Sequence, residues 1–214
     1  MTETPGPVAV PKRIYFLDNL RTGMIFLVVL LHAGIVYESS GVGAYFWIVD
    51  DPQTNDASGL LNLILDIFVM PAIIFVSGYF IPGSLAKSGT AGFVTSKLRR
   101  LMIPWLLGVV TLIPLYKVIF LASRGLPQEP WVTYFPFSNG IISQSWLWFL
   151  PILFLFDLAY LGLSKTGLSF ESLSLRAALP VATLVAFAAS LALDLLGHQG
   201  WTKTALLDFQ NERL

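Results

Sequence analysis

Five apolar runs, at about residues 22–38, 60–82, 101–121, 145–163 and 177–197, set the terms for this 214-residue chain. About 20 residues of helix cross the roughly 30 Å of hydrocarbon in a bilayer, and each run is near or above that length. Inside hydrocarbon no water is present to satisfy backbone N–H and C=O groups, so such runs must be helices. They predict an all-α, polytopic transmembrane helical bundle of about five spans. Composition agrees, with 55% hydrophobic and 12% charged residues. The first run lacks an Ala-x-Ala-like cleavage site and carries His32, so it reads as a retained helix rather than a signal-peptide core. Residues 1–214 read as one transmembrane domain, with 1–12 a flexible cytoplasmic tail.

Basic residues alternate between the connecting segments. Lys12, Arg13, Arg21, Lys87, Lys97, Arg99, Arg100, Lys165 and Arg176 fall on one side of the bundle, against Arg124, Lys203 and Arg213 on the other. The positive-inside rule therefore predicts a multi-pass protein of the inner (plasma) membrane with its N-terminus in the cytoplasm. Thirteen basic residues balance thirteen acidic ones, which gives no reason to expect nucleic acid as a partner. There is no cysteine, and His32 and His198 are the two histidines. That excludes thiolate catalysis and a Cys-ligated metal, and leaves too few imidazoles for a multi-histidine metal site. No Walker loop, GxGxxG or GxSxG motif is present. Tyr45, Phe46, Trp47, Trp105, Trp131, Tyr134, Trp146 and Trp148 gather near the expected interfaces, where aromatic anchors are ordinary.

The ionisable groups within the apolar runs carry the functional signal. A helix turns about 100° per residue, so the eleven steps from Arg21 to His32 bring both onto one face, roughly 16 Å apart along the axis. His32 lies near mid-membrane, where an ionisable group is costly and marks a functional site by default. A packing histidine bonded to a neighbouring hydroxyl or carbonyl is the structural alternative. Asp66 and Lys117 fall at matching depth in adjacent spans and are expected to form a structural ion pair. Asp157 lies mid-depth without an obvious partner, to be met by Ser or Tyr side chains or by a group beyond residue 214. The cluster Lys97-Leu98-Arg99-Arg100 puts Lys97 and Arg100 on one helix face. It reads either as an anchor on lipid phosphate or as a clamp for the phosphates of a cytosolic donor.

The opening Arg13-Ile-Tyr-Phe-Leu-Asp-Asn-Leu-Arg21 leading to His32 resembles the start of the membrane-bound acyltransferase family 3, bacterial O-acyltransferases of glycans, lipids and small molecules. Phe75-Val-Ser-Gly-Tyr-Phe80, Lys97-Leu-Arg-Arg-Leu-Met-Ile-Pro104 and Trp146-Leu-Trp-Phe-Leu150 match further pieces in order, over roughly residues 13–160. The first helix and Trp47 through Asp51 look most like the glucan-modifying succinyltransferase branch. The family's arginine–histidine motif falls on Arg21 and His32, and its basic pair on Lys97 and Arg100, with lysine standing where arginine is usual. Five spans then look like the N-terminal half of a roughly ten-span fold, completed by a C-terminal half or a second copy.

The resemblance implies an enzyme that moves an acyl group from cytosolic acyl-CoA to a hydroxyl of a glycan or lipid-linked acceptor at the outer face. In that reading His32 and Arg21 are catalytic, and Lys97, Arg99 and Arg100 bind the donor. Acyl-CoA enters as donor substrate, with no permanently bound cofactor, and the lipid bilayer is the standing partner. Imidazole exchanges protons near neutral pH, which suits His32 as a general base or as a transient acyl carrier. The non-enzymatic alternative is a small transporter or assembly partner with His32, Asp66 and Lys117 along a polar path. CoA-dependent binding would favour the enzyme, and ion-coupled flux the transporter.

Overall fold

Helix α1, Tyr15–Gly34, runs straight into a 3-10 turn at Ile35–Tyr37. The chain returns as α2, Asp56–Tyr79, capped by Asn55, whose side chain accepts from the Ser58 N–H at 2.8 Å. A bond from Asn55 N to Tyr37 O at 2.9 Å ties the end of α1 to the start of α2, so the two pack as an antiparallel hairpin. The computed structural model describes residues 14–39, 49, 51–135, 145–167, 174–198, 201–203 and 208–210. The expected tail 1–12, the basic Lys12 and Arg13, and Tyr45 to Trp47 lie outside the described residues.

Small residues let the hairpin close. A Cβ on Gly34 would collide with the Asn62 carboxamide, so glycine is what allows α1 to approach α2 there. On α1 the half-buried Leu17, Leu20, Met24, Leu27, Val28, Leu31, Gly34 and Ile35 form one stripe. That stripe recurs at three- and four-residue intervals, the period of a packed helix face.

The sequence pattern puts a loop between the second and third spans. The structure instead builds helix α3, Ile81–Lys97, a π turn, Leu98–Met102, and α4, Ile103–Ser123, end to end. The periodic signal was present in Ile81 with Leu85, and in Phe93 with Lys97, both spaced by one turn. Helix α3 is broken at Gly89, where φ is 65° and ψ is 174°. That region of backbone space is essentially open to glycine alone. The break folds the first half of α3 back, so that Ile81 and Phe93 are buried with Leu161 and flanked by Leu85, Val94 and Tyr160.

Helix α5, Phe149–Ser164, follows a 3-10 turn at Ser145–Trp148 that packs on α4. The helix itself runs antiparallel to α3 and the π turn, Asp157 meeting Lys97 and Leu161 meeting Phe93. Trp105, Val109 and Ile113, on one face of α4, are buried against Leu147. Leu147 lies 2.8 Å from where a Cβ would stand on Gly108. Trp105 and Trp148, expected as interfacial anchors, are instead buried in the packing of these helices. Trp146 stands edge-on to Tyr116 with ring centres 5.2 Å apart.

Among the described residues, four helical stretches are long and apolar enough to cross a membrane: Tyr15–Tyr37, Asp56–Tyr79, Ile81–Ser123 and Trp146–Ser164. The fifth run forms the 21-residue helix α6, Leu175–Leu195. A two-stranded antiparallel ribbon follows, β1 Trp201–Lys203 with β2 Asp208–Gln210, pairing Thr202 with Phe209. The ribbon has no counterpart in the sequence pattern. The all-α polytopic architecture otherwise stands as the apolar runs predict.

The expected Asp66–Lys117 pair does not form. The buried Lys117 sends its ammonium along α4 to the loop beyond, 2.8 Å from Glu129 and 3.0 Å from the Thr133 carbonyl. The loop after α4 folds back beside the helix, with Gln128 Nε2 donating to the Val118 carbonyl at 3.2 Å, and so brings the buried ammonium a carboxylate from the loop in place of Asp66. The Lys117 hydrogen bond, then that of Thr133, holds the Glu129 carboxyl below its ordinary value of 4.5. A depressed carboxylate stabilises the fold fully above its unfolded value and loses that contribution as pH falls through the folded one.

Two outcomes follow from this packing. Gly89→Ala is expected to cost about 1–3 kcal/mol through backbone strain, read as a lower thermal midpoint in detergent. Thermal midpoints of the wild type should fall between about pH 7 and about pH 3, and Glu129→Gln should flatten that acid limb while lowering the neutral midpoint.

Candidate functional site

The structure sorts the polar groups of the sequence into two places. Arg21 and His32 lie at one edge of the packed stripe of α1, Arg21 exposed and His32 half-buried. The spacing of eleven residues therefore does put them on one side of the helix, about 16 Å apart by helical rise.

His32 Nδ1 lies 2.6 Å from the carbonyl oxygen of Val28, one turn earlier. A carbonyl can only accept, so the proton of the neutral ring is on Nδ1 and is donated to Val28. The basic lone pair is then on Nε2. Hydrogen bonding to its own helix thus sets both the tautomer and the ring plane, the arrangement by which backbone carbonyls orient imidazoles elsewhere.

The second place is the junction of α3 and α4. Pro104 has no N–H, and its ring would press on the carbonyl four residues back, that of Arg100. The helix responds by widening. Ile103 N–H bonds to Leu98 O, five residues back rather than four, and closes the π turn Leu98–Met102. Single π turns inside α-helices recur at functional sites. Here the turn carries Arg99 and Arg100, both exposed. The two arginines line a groove of about 500 Å³ with Ala91, Gly92, Thr95 and Ser96. Small side chains and two guanidinium groups give it the character of a shallow anion-accepting surface.

Lys97 does not join them. Its ammonium is turned toward α5 and forms an ion pair with Asp157 at 2.7 Å, with side-chain exposures of 20% and 4%. The Phe93 ring covers it, 5.2 Å from the ammonium to the ring centre. Asp157, expected to have no obvious partner in this chain, has one sixty residues away. Removing one member of a buried pair leaves the other charge uncompensated and costs about 3–5 kcal/mol. The shared face expected for Lys97 and Arg100 is lost because the π turn lies between them and changes the angular step.

Sequence reasoning also passed over Asn62. It is 5% exposed against Gly34, two residues beyond His32, and its carboxamide makes no hydrogen bond among the described residues. A polar residue in an apolar run was the available signal.

Helices long enough to span a membrane, an oriented imidazole within one of them and a paired-arginine groove at a helix junction thus occur in one chain. The sequence matches the acyltransferase domain of family 3 over residues 14–209, nearly its whole length. No curated protein and no solved structure matches it. By that match the chain belongs to acyltransferase family 3, and with its apolar helices it is a membrane acyltransferase.

Proposed function

We propose that the protein moves an acyl group from cytosolic acyl-CoA to a hydroxyl of a glycan or other acceptor at the outer face of the inner membrane. The observation that carries the reading is the His32 Nδ1 contact with the Val28 carbonyl, which leaves Nε2 as the basic atom of a ring held within a membrane helix. Nε2 takes the proton of the acceptor hydroxyl as its oxygen attacks the thioester carbon. The C–O bond forms, the C–S bond breaks, and the departing CoA sulfur receives the proton from the imidazolium. The same lone pair serves equally if Nε2 attacks the thioester first and carries the acyl group to the acceptor. Both routes need the tautomer that Val28 imposes.

Donor phosphates are bound by Arg99 and Arg100, whose planar guanidinium groups match phosphate oxygens in pairs. Lys97 stands behind them, its charge met by Asp157. Arg21 stands on the His32 edge of α1 near the cytoplasmic interface, about 16 Å from the imidazole by helical rise. It serves catalysis by orienting the donor from its nucleotide end, so that the thioester at the far end of the pantetheine arm meets the imidazole. The basic bias of the connecting segments supports a cytoplasmic N-terminus, which puts Arg21, Arg99 and Arg100 on the side where CoA is found.

CoA release from acetyl-CoA and succinyl-CoA, followed in membranes holding the full chain, tests this. His32→Ala is expected to lower kcat by at least about 100-fold while membrane insertion is retained. Near-normal turnover in that variant would remove His32 from the mechanism. Arg99→Gln and Arg100→Gln should each raise the donor KM by about tenfold, the loss of one charge-assisted contact to phosphate.

A further inference from the structure

We propose that Asp157 is a positioning residue of the donor site: by taking Lys97 into a buried ion pair it anchors the π turn so that Arg99 and Arg100 both face the groove. The inference rests on the reading of that groove as the site of the donor's phosphates. It divides the basic cluster by role. Lys97 is a strut, and the two arginines are the anion-binding pair.

Three observations converge on this assignment. First, the pair is short and enclosed, with 2.7 Å between charged atoms, Asp157 4% exposed and the Phe93 ring beside the ammonium. Lys97 is therefore turned away from the surface that carries the arginines. Second, Lys97 is the last residue of α3 and abuts the π turn directly. The turn is a locally widened stretch closed at its end by the bond from Ile103 N–H to Leu98 O, and it packs against α5. Fixing Lys97 on α5 fixes where that turn begins, and so the directions in which Arg99 and Arg100 leave it. Third, Phe93 and Leu161, one turn before Lys97 and one turn after Asp157, are buried together. The ion pair and this contact clamp α3 to α5 at two adjacent levels.

The chain has no cysteine, so Thr95→Cys on the groove gives a single thiol. Its reaction rates with anionic and cationic methanethiosulfonate reagents report the local potential. Simple loss of a negative charge at Asp157→Asn would raise the preference for the anionic reagent. Loss of positioning swings the arginines away and lowers it, by about threefold or more at moderate ionic strength. The proposal predicts the fall. It also predicts a donor KM raised about tenfold in Asp157→Asn with kcat within about threefold of wild type. The neutral pair Lys97→Met/Asp157→Leu keeps helix contact without charge, and is expected to return both readouts to within about threefold of wild type.

An unchanged or raised anionic preference in Asp157→Asn overturns the proposal. So does a donor KM in the apolar pair that stays as high as in Lys97→Met alone, which would make Lys97 a phosphate ligand. If Asp157→Asn does not fold, the apolar pair beside Lys97→Met decides the question. If the wild-type chain neither binds nor releases CoA, the donor reading fails, and the thiol-reactivity ratios still decide whether Asp157 positions the arginines.

Discussion

Hydrocarbon offers no hydrogen bonds, and most of this fold is a set of answers to that fact. Backbone groups answer by forming helices. Charged side chains answer by finding a partner or by reaching for an end of the bundle. Lys97 finds Asp157 across to the next helix, and Lys117 reaches Glu129 and a loop carbonyl. Pro104 removes one backbone donor, and the helix accommodates it with a wider turn rather than a break. The arginines of the candidate donor site stand on that turn. The same constraint that makes the helices therefore also shapes the site.

Packing between the helices relies on close approach rather than on large apolar surfaces. In a lipid environment lipid tails are as apolar as leucine, so burial of aliphatic side chains gives little preference for one partner over another. Shape and polar contacts decide instead. Gly34 admits α2 to α1, and Gly108 receives Leu147. Where bulk is used it is aromatic, with Trp105 and Trp148 turned inward and Trp146 against Tyr116. Reading Trp105 and Trp148 as interfacial anchors misses this inward role.

Much of this was legible from residue types and spacing. Among the described residues four of the apolar runs lie in membrane-length helices, and the Arg21–His32 interval places both groups on one edge of α1. What spacing along a chain cannot supply is azimuth between chains of helix. Asp66 and Lys117 match in depth, yet depth alone does not make two side chains face each other. Asp157 and Lys97 do face each other, because α3 continues into the bundle as helix where the basic residues suggested a loop. That continuation was hidden by Gly89 and Pro104, both of which ordinarily end helices. Here each bends or widens a stretch that goes on.

His32 Nδ1 is held by a carbonyl of its own helix, that of Val28. Many imidazoles in active sites are aimed by a carboxylate on another segment, so their aim shifts whenever the two segments slide. On α1 the ring, its tautomer and its lone pair travel with the helix as one body. Reorientation of the reactive nitrogen relative to either membrane face therefore requires rotation or translation of α1 itself. The glycine-lined contact with α2 is the bearing on which such a movement would turn.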